Sequence, residues 1–317
     1  MRAVVAHGPG DFRLSEVDET VCPAGGLVIE IEATGVCAAD RMLWTGRHPW
    51  GELDFPFVPG HEVVGRVTEG HLPAGTRVTA EVKLSCGSCP ACSRGQEHLC
   101  PLGLHLGSGI PGGFAERVAL PARARVHVVP DGLAREQAVL AEPMACALHA
   151  VRRAGVHEGD RVAVAGLGGL GALAVHAARG QGASHVTAVV RSAEKANLAR
   201  DLGYDAATLD PADAAYDVGV DVSGDVDAVE VLLSAVRPGG RIGVYGVYDR
   251  PLALDLNRLA EFGELRVSGG HLAPGCFPEA IALLPLVHGV VTGTHPLERL
   301  TDAFDPRPLR LKEIVVP

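Results

Sequence analysis

Four cysteines lie close together in one short segment, with a spacing that suits a metal ion. The segment has the pattern Cys86-x2-Cys89-x2-Cys92-x7-Cys100. Four thiolates can close a tetrahedral zinc site and leave no position for a substrate, so a zinc ion held in this way is structural. An iron–sulfur cluster is the alternative, because cysteine thiolates also hold such clusters. The spacing therefore predicts a metal-binding lobe over residues 84–102.

A second motif is the glycine-rich sequence Gly166-Leu167-Gly168-Gly169-Leu170-Gly171. Gly166, Gly168 and Gly171 match the pattern G-x-G-x-x-G, with a predicted strand before it, a helix after it and a second strand about 20 residues further on. Missing side chains let the backbone approach a pyrophosphate, and the start of the helix favours its charge. The motif predicts a dinucleotide site; the alternative is a turn that only packs a helix on a strand.

The end of the second strand bears on the choice of nucleotide. NAD-binding domains usually carry an Asp or Glu there, which binds the ribose 2′-hydroxyl. This strand ends at Val190 and is followed by Arg191 and Ser192, with Lys195 in the next helical turn. A cation and a hydroxyl favour a 2′-phosphate, so we expect NADP(H) to be preferred, with NAD(H) as the alternative.

Strands and helices alternate in the part of the chain that contains the glycine loop. A helix is predicted over 141–154, strands over 161–165, 185–190, 217–222, 241–247 and 264–268, and a turn over 237–240. This alternation predicts an α/β fold with a doubly wound parallel sheet.

The rest of the chain differs in character. Short predicted strands, broken by Pro and Gly, precede residue 142, and the tail has one helix and a final strand over 313–316. We therefore expect a mostly β domain over 1–145, a nucleotide domain over 146–275, and a C-terminal segment over 276–317 that returns to the first domain.

Composition excludes several functions. The 317 residues suit two domains, and Lys+Arg 28 against Asp+Glu 38 gives a net charge of −10. An acidic chain repels phosphate backbones, so we expect no nucleic-acid partner. No apolar run reaches the ~18–20 residues of a membrane span, and the first residues lack a signal peptide. We expect a cytoplasmic protein without a membrane partner, in which disulfides are rare.

Two short motifs in the first domain add Cys37, in Gly-Val-Cys-Ala-Ala-Asp, and His61 and Glu62, in Gly-His-Glu. Singly, Cys37 could be a small buried residue and His61 an ordinary loop histidine. In this order with the cysteine lobe and the glycine loop, however, they make the chain resemble the zinc-containing medium-chain alcohol dehydrogenase superfamily. The resemblance covers nearly the whole chain and is closest to the polyol, sorbitol and threonine dehydrogenases; aminocyclitol dehydrogenases are also similar.

The resemblance implies a GroES-like, mostly β catalytic domain and a Rossmann nucleotide domain. It implies a second, catalytic zinc, so two per chain, with Cys37, His61, Glu62 and Glu142 as ligands, Glu142 either directly or through water. Asp40 matches an acid that hydrogen-bonds the zinc histidine in that family. Such a zinc keeps one position open and acts as a Lewis acid on an alcohol or carbonyl.

The expected reaction is hydride transfer between a nicotinamide cofactor and a secondary alcohol or ketone of a polyol, sugar or cyclitol. The segment 269–274 resembles one found in dehydrogenases of short-chain sugar alcohols. Two other functions stay open: a zinc-free quinone or enone reductase, and a non-catalytic dinucleotide-binding protein. The family also suggests a homodimer or homotetramer, joined along the strand at 264–268.

One departure from the family concerns proton transfer. The usual Ser or Thr two residues after the catalytic cysteine is Ala39 here. The proton must therefore leave by another route, through His48 or through Glu62 with water. The loop over 41–57 contains Trp44 and Trp50, which either line the substrate site or belong to the core.

Overall fold

The computed structural model of the protein describes residues 1–48, 53–208, 214–305 and 309–317, and it divides the chain into two compact units. The first unit combines Met1–Glu142 with Val291–Pro317, and the second is Pro143–Val290. The chain thus returns to the first unit at Val291, later than the sequence-based boundary at residue 276.

The N-terminal part of the first unit consists mainly of short strands. Its elements are β1 (Arg2–Gly8), β2 (Asp11–Glu16), β3 (Leu27–Val36), α1 (Ala38–Thr45), β4 (Glu62–Gly70), β5 (Arg77–Ala80), β6 (Lys83–Leu84), α2 (Pro90–Ser93), β7 (Leu104–His105), β8 (Arg117–Leu120), β9 (Val126–Val128) and α3 (Arg135–Ala138). Apolar residues alternate along β3, because successive side chains of a strand point to opposite faces. Leu27, Ile29 and Ile31 enter one core cluster, where they meet Val63 and Val67 of β4.

Helix α4 (Ala141–Ala154) has the bounds that the sequence predicted. The second unit begins within this helix, at Pro143. Its further elements are β10 (Arg161–Ala165), α5 (Gly169–Gly180), β11 (His185–Val189), α6 (Ala193–Asp201), β12 (Asp205–Ala207), β13 (Tyr216–Asp221), α7 (Val226–Ala235), β14 (Val236–Val244), α8 (Leu256–Leu259), β15 (Arg266–Gly269) and α9 (Phe277–Leu283). Its strands form a parallel sheet in the order β12-β11-β10-β13-β14-β15. The predicted doubly wound sheet is confirmed.

Two details of this sheet differ from the sequence-based prediction. Strand β12 was not predicted, because three residues are too few to show a pattern. Strand β14 begins at Val236, before the turn predicted at 237–240, and ends at Val244. Val236 pairs with Tyr216 and Arg241 with Val218, so the register shifts and residues 237–240 form an irregular stretch within the strand.

Helix α9 explains why the boundary lies at Val291. It packs on α5, where a Cβ at Gly180 would lie 2.9 Å from Cδ2 of Leu283. This close packing keeps the residues after 276 with the nucleotide unit.

The C-terminal residues complete the sheet of the first unit. They form β16 (Val291–Pro296), a 3-10 helical stretch over Leu297–Phe304, and β17 (Lys312–Val316). Strand β17 lies between β16 and β3, parallel to the former and antiparallel to the latter. The sequence predicted β17 but not β16, whose Gly and Pro and half-exposed side chains give no apolar pattern. Among the described residues, no helix is long and apolar enough to cross a membrane.

Candidate active site and metal centres

Antiparallel pairing of β3 and β4 brings the two first-domain motifs together. Cys37 follows the last residue of β3, His61 precedes the first residue of β4, and Gly35 pairs directly with Glu62. One ligand atom each of Cys37, His61 and Glu62 lies within 4.8 Å of the others. A Cβ at Gly35 would overlap Oε2 of Glu62, so glycine leaves the space that this carboxylate occupies. The structure thus places three predicted ligands in one group.

Asp40 supports this group from helix α1. Cys37 is the N-cap of α1, and its backbone N–H donates to Oδ2 of Asp40 at 2.8 Å. Oδ1 lies 3.9 Å from Nδ1 of His61. That distance is too long for a hydrogen bond, so the predicted bond to the histidine is not made. The carboxylate is engaged in closing the first turn of the helix, and it reaches His61 only through its charge.

Lys312 is a residue of this site that the sequence did not reveal. Its ammonium forms an ion pair with Oε2 of Glu62, and both side chains are buried. The lysine arrives on β17, which pairs with β3 beside Gly35. It lies in no motif, and only knowledge of that pairing could have found it.

The charges around His61 suit a cation. Burial alone would lower the pKa of His61, but Cys37, Asp40 and Glu142 outweigh it and raise this pKa well above its usual value. For the carboxyl group of Asp40, burial has the opposite effect and raises the pKa. Several acidic groups therefore surround one imidazole in a dry environment. A thiolate, an imidazole and a carboxylate are ligands that Zn²⁺ accepts, so the donor set fits a zinc ion.

Glu142 and His48, also predicted for this site, lie outside the three-ligand group. Glu142 is buried near the start of α4 and acts on His61 and Lys312 through its charge. His48 is half-buried, beyond the end of α1. The structure therefore leaves the direct role of each as a prediction.

The cysteine lobe has the geometry of a tetrahedral sulfur site. The Sγ–Sγ distances are 3.5 Å for Cys89–Cys92, 3.7 Å for Cys89–Cys100 and 4.0 Å for Cys86–Cys92, and all four sulfurs lie within 4.8 Å of one another. Tetrahedral bonds of about 2.3 Å from zinc to sulfur require about 3.8 Å between sulfurs. All eight cysteines lie among the described residues, and none of them forms a disulfide there. The four thiols therefore fit one metal ion.

Backbone hydrogen bonds favour the thiolate at Cys86 and Cys89, whereas burial raises the pKa of Cys92 to about 11. Hydrogen bonds from the backbone of Ser88 and Cys89 lower the pKa of Cys86 to about 6. Since the thiolate is the ligand, this sulfur is prepared for a metal ion at neutral pH.

The glycine loop joins β10 to α5 at the carboxyl end of the parallel sheet. Gly166 has a φ of +99°, and a Cβ there would lie 2.9 Å from Cα of Ser223. A Cβ at Gly171 would overlap the carbonyl oxygen of Gly166. At Gly168, the N-cap of α5, a Cβ would meet no atom of the described residues within 4 Å. The loop thus packs tightly on the protein side and stays open above the helix start, as an anion site requires.

Comparisons with known proteins identify the family of the chain. The family model for the alcohol dehydrogenase GroES-like domain matches residues 23–131, and that for zinc-binding dehydrogenases matches residues 169–285. An erythritol/L-threitol dehydrogenase of Mycolicibacterium smegmatis is 34% identical, over 90% of this chain and 86% of its own. The chain belongs to the zinc-containing medium-chain alcohol dehydrogenase superfamily.

Two further relatives place the dehydrogenase more closely. An L-threonine 3-dehydrogenase of Streptomyces avermitilis is 33% identical, over 78% of this chain and 77% of its own. A zinc-binding dehydrogenase from Sinorhizobium meliloti, solved with NADP bound, superposes with a TM-score of 0.91 at 27% identity, over 100% of this chain and 99% of that one. The resemblance, the fold and the enzyme class predicted from the sequence are confirmed. The reductase and the non-catalytic alternatives are not favoured.

The residues that the sequence predicted to select the nucleotide follow β11. Arg191 is 76% exposed at the side chain, and its NH1 lies 3.2 Å from Oδ2 of Asp225. Ser192 is the N-cap of α6 and accepts from the backbone N–H of Lys195 at 3.2 Å. Lys195 is half-buried, and this burial lowers its pKa. Asp225, the N-cap of α7, was not predicted, because nothing near it in sequence marks it as a neighbour of Arg191.

The two tryptophans of the 41–57 loop differ in outcome. Trp44 stacks on Phe304 at 5.6 Å between ring centroids and meets Phe12 edge-on at 5.2 Å. It therefore belongs to an aromatic core cluster of the dehydrogenase. Trp50 lies outside the described residues.

Proposed function

We propose that this dehydrogenase interconverts a secondary alcohol and a ketone on a small polyhydroxylated substrate, with NADP(H) as the preferred cofactor and two zinc ions per chain. The observation that carries the proposal is the convergence of Cys37, His61 and Glu62, with Lys312 and Asp40 buried around them. Three protein ligands leave a position for a substrate oxygen, which a closed four-cysteine site does not.

The residues of the site divide the work between binding and charge balance. Cys37, His61 and Glu62 would hold the catalytic metal, with Glu142 as a further carboxylate near it. When bound, zinc supplies a Lewis acid that eases loss of the hydroxyl proton of the substrate. Asp40 fixes the start of α1 and so the position of Cys37. A bound nicotinamide would supply or accept the hydride, and His48, or Glu62 with water, would pass the proton on to solvent.

The polyol assignment rests on the relatives and on the segment 269–274. The M. smegmatis relative acts on erythritol and L-threitol, and the S. avermitilis relative on L-threonine. Both substrates are small and polar and carry a secondary hydroxyl. We favour the sugar alcohol because the first of these relatives matches more of this chain.

The preference for NADP(H) rests on Arg191. An exposed guanidinium can offer a charge-assisted hydrogen bond to a 2′-phosphate, and Val190 provides no carboxylate to repel it. Asp225 restrains the guanidinium beside the strand end. The S. meliloti relative, which was solved with NADP, supports this choice.

We also propose a homodimer or homotetramer built through β15. This strand lies at the edge of the parallel sheet and pairs only with β14 among the described residues. Val267, 46% exposed, is an apolar residue of this strand, and Phe262, 72% exposed, precedes the strand in sequence. An edge strand that pairs on one side only can pair on its other side with the same strand of a second copy. Val267→Lys should reduce the mass measured by sedimentation to that of a smaller assembly.

One experiment tests the central proposal. Purified enzyme is offered erythritol, threitol, longer sugar alcohols, cyclitols and L-threonine with NADP⁺ or NAD⁺, while the reduced cofactor is followed by absorbance. Zinc per chain is measured on the same sample. Turnover of a polyol that is lost in Cys37→Ser supports the proposal. Turnover of L-threonine alone would overturn the substrate class, and activity that persists in Cys37→Ser without metal would overturn the mechanism.

A further inference from the structure

A strained residue lies in the loop that follows β15. Leu272 has a φ of +52°, in the left-handed region that residues with a side chain rarely adopt. Such a conformation persists only where the surroundings hold it, and it is frequent at functional sites. Neighbouring side chains must therefore hold the loop, which we define as residues 269–275, in this conformation.

Tyr245 is the main support of the 269–275 loop. Its hydroxyl donates to the carbonyl oxygen of Leu272 at 2.5 Å. Its ring packs on Gly270, where a Cβ would lie 2.7 Å from Cδ2 of the tyrosine. Nε of Arg153 donates to the carbonyl oxygen of Gly269 at 2.8 Å. One aromatic side chain thus uses both its ring and its hydroxyl to shape the loop.

The position of the 269–275 loop in the sheet indicates which part of a dinucleotide lies near it. Tyr245 follows β14 directly and the loop follows β15, so both lie at the carboxyl ends of parallel strands. In this strand order each half of the sheet binds one mononucleotide, at the carboxyl edge. The glycine loop and Arg191 follow β10 and β11, in the half assigned to the adenosine. The half containing β14 and β15 is left for the nicotinamide mononucleotide.

We propose that Tyr245 is a positioning residue for the nicotinamide half of the cofactor, acting through the carbonyl of Leu272 and the shape of the 269–275 loop. This inference rests on the proposed dinucleotide-binding function. The hydroxyl of Tyr245 is engaged with Leu272, so the residue acts through the loop and not as an acid or base. Without the hydroxyl of Tyr245, Leu272 can relax toward negative φ. The loop then no longer presents the same backbone groups to the nicotinamide ring.

The test is Tyr245→Phe, which keeps the ring on Gly270 and removes only the hydroxyl. Affinities are measured by calorimetry for NADPH and for 2′,5′-ADP, which contains the adenosine half alone, and likewise for NADH and AMP. We expect the dissociation constant of the reduced cofactor to rise about 3- to 10-fold, as the loss of one hydrogen bond implies. The constants for 2′,5′-ADP and AMP should not change.

Tyr204→Phe is the matched control. Tyr204 directly precedes β12, which lies at the opposite edge of the same sheet from β15. The hydroxyl of Tyr204 lies 2.8 Å from Nε2 of His176. This variant should bind all four ligands as the wild type does. Equal weakening of whole and half cofactors in Tyr245→Phe would show a general structural role and overturn the inference, as would no weakening at all. Wild-type enzyme that binds none of the four would instead refute the proposed function.

Discussion

Lys312 and Glu62 form a buried ion pair in the first unit, although they come from opposite ends of the chain. They are 5% and 1% exposed. Burial alone would lower the pKa of Lys312, but Glu62 and Cys37 outweigh it and raise this pKa. The carboxylate of Glu62 therefore has a permanent cationic partner within the protein, in addition to any metal ion at the three-ligand group.

Removal of this lysine should destabilise the enzyme. Lys312→Met keeps the volume of the side chain but leaves Glu62 buried without its partner. Loss of one member of a buried pair costs about 3–5 kcal/mol. We expect a loss of this order in the free energy of unfolding of chelator-treated protein, measured with urea, and a smaller loss with zinc present, since the metal also compensates the carboxylate.

The double variant Lys312→Met with Glu62→Gln should recover most of this loss, because no uncompensated charge remains. Arg13→Met, which removes an exposed pair with Asp11, is the control and should cost less than about 1 kcal/mol. If the losses in the free energy of unfolding of the two single variants simply add in the double variant, Lys312 and Glu62 are not coupled and the prediction is wrong.

Disruption of the cysteine lobe should remove one zinc ion and spare the other. In Cys100→Ser we expect about one zinc per chain by elemental analysis, and easier proteolysis between residues 84 and 102, because a structural zinc contributes directly to folding. Cys22→Ser, outside both metal groups, should keep the wild-type content. Unchanged zinc in Cys100→Ser would refute the assignment.

Arg191→Ala should reduce the preference for NADP(H). A hydrogen bond to a charged group contributes about 1.5–3 kcal/mol, or about 10- to 150-fold in kcat/KM. We expect most of the change in the KM for NADP(H), and a shift toward NAD(H) in Val190→Asp. Steady-state kinetics with both cofactors at several salt concentrations measure this. A preference that is the same in wild type and Arg191→Ala would exclude the guanidinium as its source.

Proton transfer should depend on His48 or Glu62 and not on position 39. Positioned proton transfer contributes about 10²–10⁴-fold where it is used. We expect a loss of that order in kcat for His48→Gln if His48 carries the proton, and for Glu62→Gln if Glu62 does. Ala39→Ser should change kcat only modestly. Wild-type rates in both His48→Gln and Glu62→Gln would leave solvent as the carrier.

His176 should make stability fall in mild acid. Burial, together with Arg179 and His288, lowers the pKa of His176 to about 4, whereas an unfolded histidine titrates near about 6.5. Between these values the unfolded chain takes up a proton that the folded chain does not, so stability is full above about pH 6.5 and falls toward pH 4. Urea unfolding should show that the free energy of unfolding falls less between pH 7.5 and pH 5 in His176→Gln than in the wild type. The exposed His157→Gln should behave like the wild type.

The sequence predicted those features that local pattern determines. The apolar run at 161–165 and the periodicity of 141–154 gave the bounds of β10 and α4. The motifs around Cys37 and His61 identified the three residues, Cys37, His61 and Glu62, that the structure groups together. The strand before the glycine loop and the helix after it were also predicted, and β10 and α5 lie there.

Features that depend on contacts between distant segments were not predictable in this way. Lys312 reaches Glu62 only because β17 pairs with β3, and Asp225 meets Arg191 only because β13 lies next to β10. The hydrogen bond expected from Asp40 to His61 failed for a geometric reason, since the carboxylate is turned toward the backbone of Cys37. Single-sequence patterns contain no information on such choices.

The position of β17 has a consequence for biosynthesis. Residues 34–36 of β3 pair with residues 313–315, so the central sheet of the first unit cannot close until residues 313–315 have been synthesised. Until Lys312 has left the exit tunnel, Glu62 lacks its cation and the edge of β3 stays open. The nucleotide-binding unit, whose strands are contiguous, has no such dependence. The first unit is therefore the later of the two to finish folding, and a nascent chain stalled before residue 312 should expose β3 to chaperones.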